Sequence, residues 1–248
     1  MLRPDDYPDT RLNSLPQGYR AVICGASGAI GSALVTALQR DPRCGQVVAL
    51  ARSSPGAQGG LDLLDDEQLA ATAGQLQQQG PVHLMVCATG ILTVDGRPPE
   101  KRLAELDAAT LARAHAVNAI GPALFIKHFH GLMPRHERSL LGVLSARVGS
   151  IGDNHLGGWY SYRASKAALN MLIRTAAIEV GRQRPRAVLA ALHPGTVLTP
   201  LSLPIIGRQA QAQTPDQAAR RLLDVLDALP AEGASGSFRA WDGQTIPW

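Results

Sequence analysis

Arg20-Ala21-Val22-Ile23-Cys24-Gly25-Ala26-Ser27-Gly28-Ala29-Ile30-Gly31 is the stretch that decides the fold of this 248-residue chain. A short apolar strand runs straight into a glycine loop, and Ala33, Leu34, Ala37 and Leu38 then follow at helical spacing. In that setting glycines have a physical use: backbone amides at a helix N-terminus can approach and cradle a pyrophosphate. A glycine cluster elsewhere is an ordinary turn. Here a second strand, Gln46 to Ala51, follows the helix, and the unit predicts a dinucleotide site.

The same alternation continues outward. The second strand ends at Arg52-Ser53-Ser54, and no acidic side chain occupies residues 49 to 54 to accept ribose hydroxyls as NAD requires. Arg52 suits the 2′-phosphate of NADP, or is a solvated loop charge; NADP(H) is favoured over NAD(H). Leu61-Asp62-Leu63-Leu64 reads as a third strand, with Asp62 meeting the adenine edge or capping a turn. Asp65-Asp66-Glu67 open the next helix, where acids suit its dipole. Val82 to Ala88 is a fourth strand, continuously apolar as a parallel strand covered on both faces should be. Leu140 to Ala146, Ala187 to Leu192 and Ser237 to Trp241 are three more. Thr214-Pro215-Asp216-Gln217 is a capping box for a helix reaching Leu229. Residues 201 to 213 lack a firm period and read as a mobile cover. No repeat or linker divides the pattern. It predicts an α/β fold: one doubly wound parallel sheet, the Rossmann arrangement, with helices on both faces.

Composition narrows the function classes. A hydrophobic fraction of 45% and a charged fraction of 18% are ordinary for a globular chain, and 248 residues suit one large domain. The net charge of +4 is scattered, without basic clusters interleaved with aromatics, so nucleic acid is not the expected partner. Residues 1 to 18 carry Arg3, Asp5, Asp6, Asp9 and Arg11 with three prolines; they read as a loose extension, neither signal peptide nor membrane span. The domain proper is expected over 19 to 248. Three cysteines, Cys24, Cys44 and Cys87, show no motif spacing and fit a reducing cytoplasm. His128 and His130 lie two apart on a helix and face different ways, so no metal is expected.

Tyr160-Ser161-Tyr162-Arg163-Ala164-Ser165-Lys166-Ala167-Ala168-Leu169-Asn170 opens a long helix that continues without glycine or proline through Ile178. Tyr162 and Lys166 are one turn apart on one face. A phenol titrates near pH 10, and an adjacent ammonium is expected to favour the phenolate and lower that value. Such a pair can exchange a proton with a carbonyl or alcohol oxygen. The competing reading is a coincidence of spacing.

Another helix is expected from Asp107 toward Met133, with Asn118-Ala119-Ile120-Gly121-Pro122 inside it. Proline lacks the amide that would bond the carbonyl of Asn118. The sequence therefore predicts a distortion with a polar group exposed at Asn118, either a packing kink or a water site. The loop His193 to Pro200 follows a strand end, where open parallel sheets bind ligands.

Taken in order, the glycine loop 25–31, Asn118, the Tyr162–Lys166 pair and Pro194-Gly195 with Thr199 resemble the short-chain dehydrogenase/reductase family over residues 19 to 248. Gly157 to Lys166 and the ending Gly243 to Trp248 are similar to its C-factor-like and sniffer-type carbonyl reductases. The resemblance implies that Tyr162 donates a proton to a substrate carbonyl while NADPH delivers hydride. It implies that Lys166 holds the nicotinamide ribose and depresses the tyrosine pKa, and that Asn118 supports a relay water. Gly25, Ser27, Gly28, Ile30, Gly31, Arg52, Asp62, Ala88 and Gly90 would line the dinucleotide, with Pro194 and Gly195 beside it. Val197 and Thr199 would touch its carboxamide.

Three departures from the family pattern stand out. Ala29 replaces the usual middle glycine, and Cys87-Ala88-Thr89-Gly90 replaces Asn-Asn-Ala-Gly. Ala146 occupies the place of the catalytic serine. Ser145, Ser150 or another donor would have to substitute, or catalysis is weak; one lost donor to a developing oxyanion costs on the order of 3 kcal/mol. Two functions follow. One is an NADPH-dependent reductase of a small-molecule ketone or aldehyde. The other is a dinucleotide-binding sensor or signalling protein of C-factor type with little chemistry. The Tyr162 helix is apolar on two sides, which predicts a homodimer or homotetramer.

Overall fold

The computed structural model describes residues 11–52, 60–203 and 212–248. Its strands are β1 (Tyr19–Cys24), β2 (Cys44–Leu50), β3 (Leu84–Cys87), β4 (Ser139–Leu144), β5 (Ala187–His193) and β6 (Ser237–Ala240). All pair in parallel in the order β2-β1-β3-β4-β5-β6. The order reverses at β1, with β2 on one side and β3 on the other. That is the topological switch point where such sheets open a crevice at their carboxyl edge.

Alternate residues of each central strand enter different cores. Val22, Cys24, Met85, Cys87, Leu141, Val143, Leu189 and Ala191 pack on one face. Ala21, Ile23, Leu84, Val86, Leu140, Val188 and Leu192 pack on the other. Burial of both sets explains why these strands read as unbroken apolar runs. One face carries α1 (Ala29–Arg40) against α6 (Pro215–Ala228). The other carries α2 (Asp66–Gln77), α3 (Ala108–His115), α4 (Gly121–Phe129) and α5 (Tyr160–Gln183). Asp65 caps α2 by accepting the Gln68 amide, and Thr214 and Gln217 form the expected reciprocal box at α6.

Three readings change. Residues 61–64 form a turn, not a third strand: Asp62 Oδ1 accepts the Leu64 amide at 2.9 Å, while Leu61 and Leu63 are buried beside the cleft. The distortion expected within the helix from Asp107 to Met133 is present, as a π-turn over Ala116–Ile120 between α3 and α4. Pro122 lacks the amide an unbroken helix would use, and the Gly121 N–H reaches back five residues to Ala116 O instead. Asn118, expected to expose a polar group, is fully buried. Of the extension expected to be loose over residues 1–18, residues 1–10 lie outside the described residues, while residues 11–18 insert Leu12 and Leu15 into the second core, and Asp41 accepts the Leu12 amide and the Tyr19 hydroxyl. Of the cover expected over 201–213, residues 204–211 lie outside the described residues, as do Ser53 and Ser54.

Candidate active site

The crevice at the carboxyl edge of β1, β3, β4 and β5 has two ends. At the first, Gly25, Ser27, Gly28, Arg52, Asp62, Ala88 and Gly90 line one hollow together with Thr89, Arg113 and Val117. Gly25 adopts φ +84°, which a side chain rarely tolerates, and the loop turns back over α1 so tightly that a Cβ on Gly31 would sit 2.1 Å from Gly25 O. Gly31 is thus a packing residue beneath the loop, not a wall of the hollow. Helix α1 has Gly28 at its N-cap position, with no side-chain cap hydrogen bond and no acid in its first turn. Its N-cap Gly28 lines the hollow together with Arg52 and Arg113, and a helix N-terminus beside two guanidinium groups suits a phosphate. Asp62 both closes its turn and lines this hollow, so the two readings of it are compatible.

At the second end, Ser27, Gly28, Ile30, Ala88, Gly90, Ser145, Tyr162, Lys166, Pro194 and Thr199 border a continuous space. Helix α5 supplies Tyr162 and Lys166 because its stripe Leu169, Ile173, Ala177 and Val180 is buried against the sheet. Asn118 is joined to them across Gly90, where a Cβ would lie 3.3 Å from Asn118 Oδ1 and 3.4 Å from Lys166 Nζ. Its side chain is fully used. Oδ1 accepts the Ile91 amide at 2.8 Å, and Nδ2 donates to Ile91 O and to Ser165 Oγ at 2.9 and 3.0 Å. The π-turn therefore places Asn118 as a rivet between the β3 loop and α5.

The electrostatics differ from expectation. Lys166 was expected to depress the Tyr162 pKa; instead burial pushes the phenol up to about 12. Burial also brings Lys166 down to about 8, and its Nζ donates to Leu144 O at 2.9 Å. The ammonium lies 5.9 Å from the Tyr162 ring centroid, so the pair is close, but desolvation outweighs mutual attraction. Burial thus favours the protonated phenol of Tyr162 at neutral pH.

Ser145 follows β4 directly, with its amide donating to Leu192 O, and it borders the same space as Tyr162. Its hydroxyl donates to Asn170 Oδ1 at 2.6 Å, and Asn170 Nδ2 donates to Gly149 O. Ser150, the other candidate donor, is turned away: Oγ donates to Pro247 O at 2.5 Å and accepts the Asp153 amide. Gly195 and Val197 also do not line the space. Gly195, at φ +76°, backs onto Trp241 and Gln213, and the buried Val197 carbonyl accepts the Ser202 hydroxyl. Sequence reasoning passed over Thr89, Arg113, Val117, Ser165 and Asn170. Asn170 sits one turn beyond Lys166, and that spacing was the signal available for it.

A family model described as enoyl-(acyl carrier protein) reductase, of the short-chain alcohol dehydrogenase type, matches residues 23–227. The chain is 32% identical over 200 residues to 1-hydroxy-2-glutathionyl-2-methyl-3-butene dehydrogenase of Rhodococcus sp. (strain AD45), covering 80% of this chain and 83% of that protein. It is 35% identical over 173 residues to C-signal of Myxococcus xanthus, covering 68% and 94%. A short-chain dehydrogenase/reductase from Burkholderia multivorans with bound NADP superposes with TM-score 0.78 at 25% identity, over 93% of this chain and 99% of that one. With sheet order, cleft and sequence in agreement, the chain belongs to the short-chain dehydrogenase/reductase family of oxidoreductases.

Proposed function

We propose that the chain is an NADP(H)-dependent reductase that converts a small-molecule ketone or aldehyde to the alcohol, with Tyr162 as proton donor. The observation that carries this reading is that Tyr162, Lys166 and Ser145 border the same space as the glycine loop, with Asn118 held against them across Gly90. The residues present fit a dinucleotide: side-chain-free backbone at Gly25 and Gly90, an uncapped α1 N-terminus, and Arg52 and Arg113 at the far end. Arg52 in place of an acid favours the phosphorylated form. When bound, the dinucleotide supplies hydride.

The chain's own part is proton handling. A phenol held near 12 keeps its proton at pH 7 and gives it up to a far stronger base, the oxygen of a carbonyl as it becomes an alkoxide. Lys166 then faces the phenolate with a positive charge. Ser145 can turn its proton from Asn170 toward the same oxygen and so stand in for the serine missing at Ala146.

The outer side of α5 leaves Met171 67% and Ile178 50% exposed, beside Leu172. We read that face as the contact of a homodimer or homotetramer, to be checked by sedimentation at micromolar concentration. No helix among the described residues is long and apolar enough to cross a membrane, and the three free thiols suit the reducing cytoplasm.

The test is NADPH consumption with a panel of activated dicarbonyls and quinones, comparing the parent with Tyr162→Phe. The expected result is a loss of turnover of about a thousandfold, with NADPH affinity within twofold. A second reading, a dinucleotide-binding signalling protein of C-factor type, is favoured by Ala146 and by Ser150 facing Pro247. Tight NADPH binding without turnover of any carbonyl would select it.

A further inference from the structure

We infer that Glu100 is a positioning residue for Tyr162: its buried carboxylate clamps the first turn of α5 and thereby sets where the phenol stands. The inference rests on the catalytic reading of Tyr162. Helix α5 starts without a cap of its own. Trp159 occupies the N-cap position with no side-chain hydrogen bond, and the first turn contains no acid. The cap arrives from 61 residues earlier. Glu100 Oε2 accepts the Ser161 amide at 3.1 Å, Oε1 accepts the Ser161 hydroxyl, and the Glu100 carbonyl accepts the Trp159 amide. Tyr162 is the next residue.

Glu100 is only 5% exposed, and among the described residues no lysine or arginine forms an ion pair with it. A buried carboxylate without a cation is costly unless hydrogen bonds and a positive dipole end offset it, and both meet here. The long inner stripe of α5 already fixes the helix as a whole, and a cap acts only within its first turn. What the carboxylate adds is therefore local to Ser161 and the adjacent Tyr162, while the Glu100 backbone carbonyl holds the Trp159 amide.

The turn it holds is a strained one. Gly157, Gly158 and Trp159 stand in succession at φ +64°, +65° and +54°, and tryptophan gains nothing by adopting that region itself. The Arg163 guanidinium binds the carbonyls of Gly157 and Gly158 from the helix side, and Glu100 holds the Trp159 amide from the other. The Trp159 ring then meets Tyr162 edge-on, with centroids 6.2 Å apart. Removing the carboxylate leaves the backbone bond to Trp159 but frees Ser161, so the turn between them can shift and move the phenol hydroxyl; a misplacement of about 1 Å can cost about a hundredfold in rate.

The experiment compares Glu100→Ala, Glu100→Gln and Ser161→Ala in the full chain. Expected for Glu100→Ala is a kcat lowered roughly 10- to 100-fold at a temperature well below Tm, with NADPH affinity within twofold. Glu100→Gln, whose amide oxygen still accepts the Ser161 N–H and whose NH2 can donate to the hydroxyl, should recover to within about threefold. Ser161→Ala should fall between them. Hydrogen exchange of the peptide covering 159–163 should quicken at least about tenfold in Glu100→Ala, with 25–40 unchanged. A kcat within twofold of the parent, or kcat and NADPH affinity falling together with Tm, would overturn the assignment. If the parent itself reduces no carbonyl, the catalytic reading fails on its own, and the exchange decides the clamp: no change over 159–163 overturns it.

Discussion

The two ends of the cleft are built by different means. The proposed nucleotide end is made of backbone: Gly25 at positive φ, Gly31 pressed against Gly25 O, and an α1 N-terminus without a side-chain cap. The proposed catalytic end is made of side chains held by groups from far along the chain. Asn118 is fastened to Ile91 and Ser165, Ser145 to Asn170, and Ser161 to Glu100. A backbone site is specified by which residues lack a Cβ over a few consecutive positions. A networked site is specified by partners that sequence spacing does not bring together.

The two ends should therefore fail differently. The largest expected effect is at the nucleotide end. Gly31→Ala places a methyl 2.1 Å from Gly25 O and 2.8 Å from Gly25 C, contacts that only a displaced loop can relieve. NADPH affinity should fall by roughly a thousandfold, about 4 kcal/mol, in isothermal titration. Exchange over 159–163 should stay as in the parent. A dissociation constant within tenfold of the parent would show that the loop yields more cheaply than its packing implies.

At the catalytic end the losses should be graded and confined to kcat. Ser145→Ala should lower kcat roughly a hundredfold, on the order of 3 kcal/mol, with NADPH binding intact. Asn170→Ala, which leaves the hydroxyl but removes its acceptor, should cost about tenfold. Should Ser145→Ala turn over within threefold of the parent, Ser145 is a structural tie between β4 and α5, and the signalling reading gains.

How much was legible follows the same division. The strand-loop-helix opening, the α6 cap and the parallel alternation were read from local pattern, since each depends on neighbours within a few residues. The distortion at Pro122 was legible as a missing amide, but its form was not. A π-turn that buries Asn118 is selected by Ile91 and Ser165, 27 and 47 residues away. Residues 61–64 have a strand's composition, yet the Asp62 carboxylate takes the Leu64 amide and closes a turn; hydrophobicity alone does not distinguish the two. The sign of the Tyr162 shift was missed for a related reason. Spacing reports that an ammonium is near, whereas only burial reports what it costs to charge either group.

That cost gives the smallest effect, and it runs opposite to the catalytic one. Lys166 is 3% exposed and its pKa is lowered from 10.5 to about 8, so the folded state disfavours its charged form. Between pH 8 and 10.5 the unfolded chain holds this proton more firmly than the folded one, and stability from this group rises with pH. Below about pH 8 the penalty is constant and complete, on the order of 3 kcal/mol. Lys166→Met removes it but forfeits the hydrogen bond to Leu144 O, worth about 1 kcal/mol. The net expectation at pH 7 is a gain of about 1–2 kcal/mol, a Tm higher by a few degrees in a protein that no longer turns over. The gain should shrink between pH 8 and 10.5, read as the difference between the two proteins' unfolding curves. A variant less stable than the parent at pH 7 would mean that the ammonium is better solvated in the cleft than its burial indicates, and the two ends of the site would then not differ in the cost of holding charge.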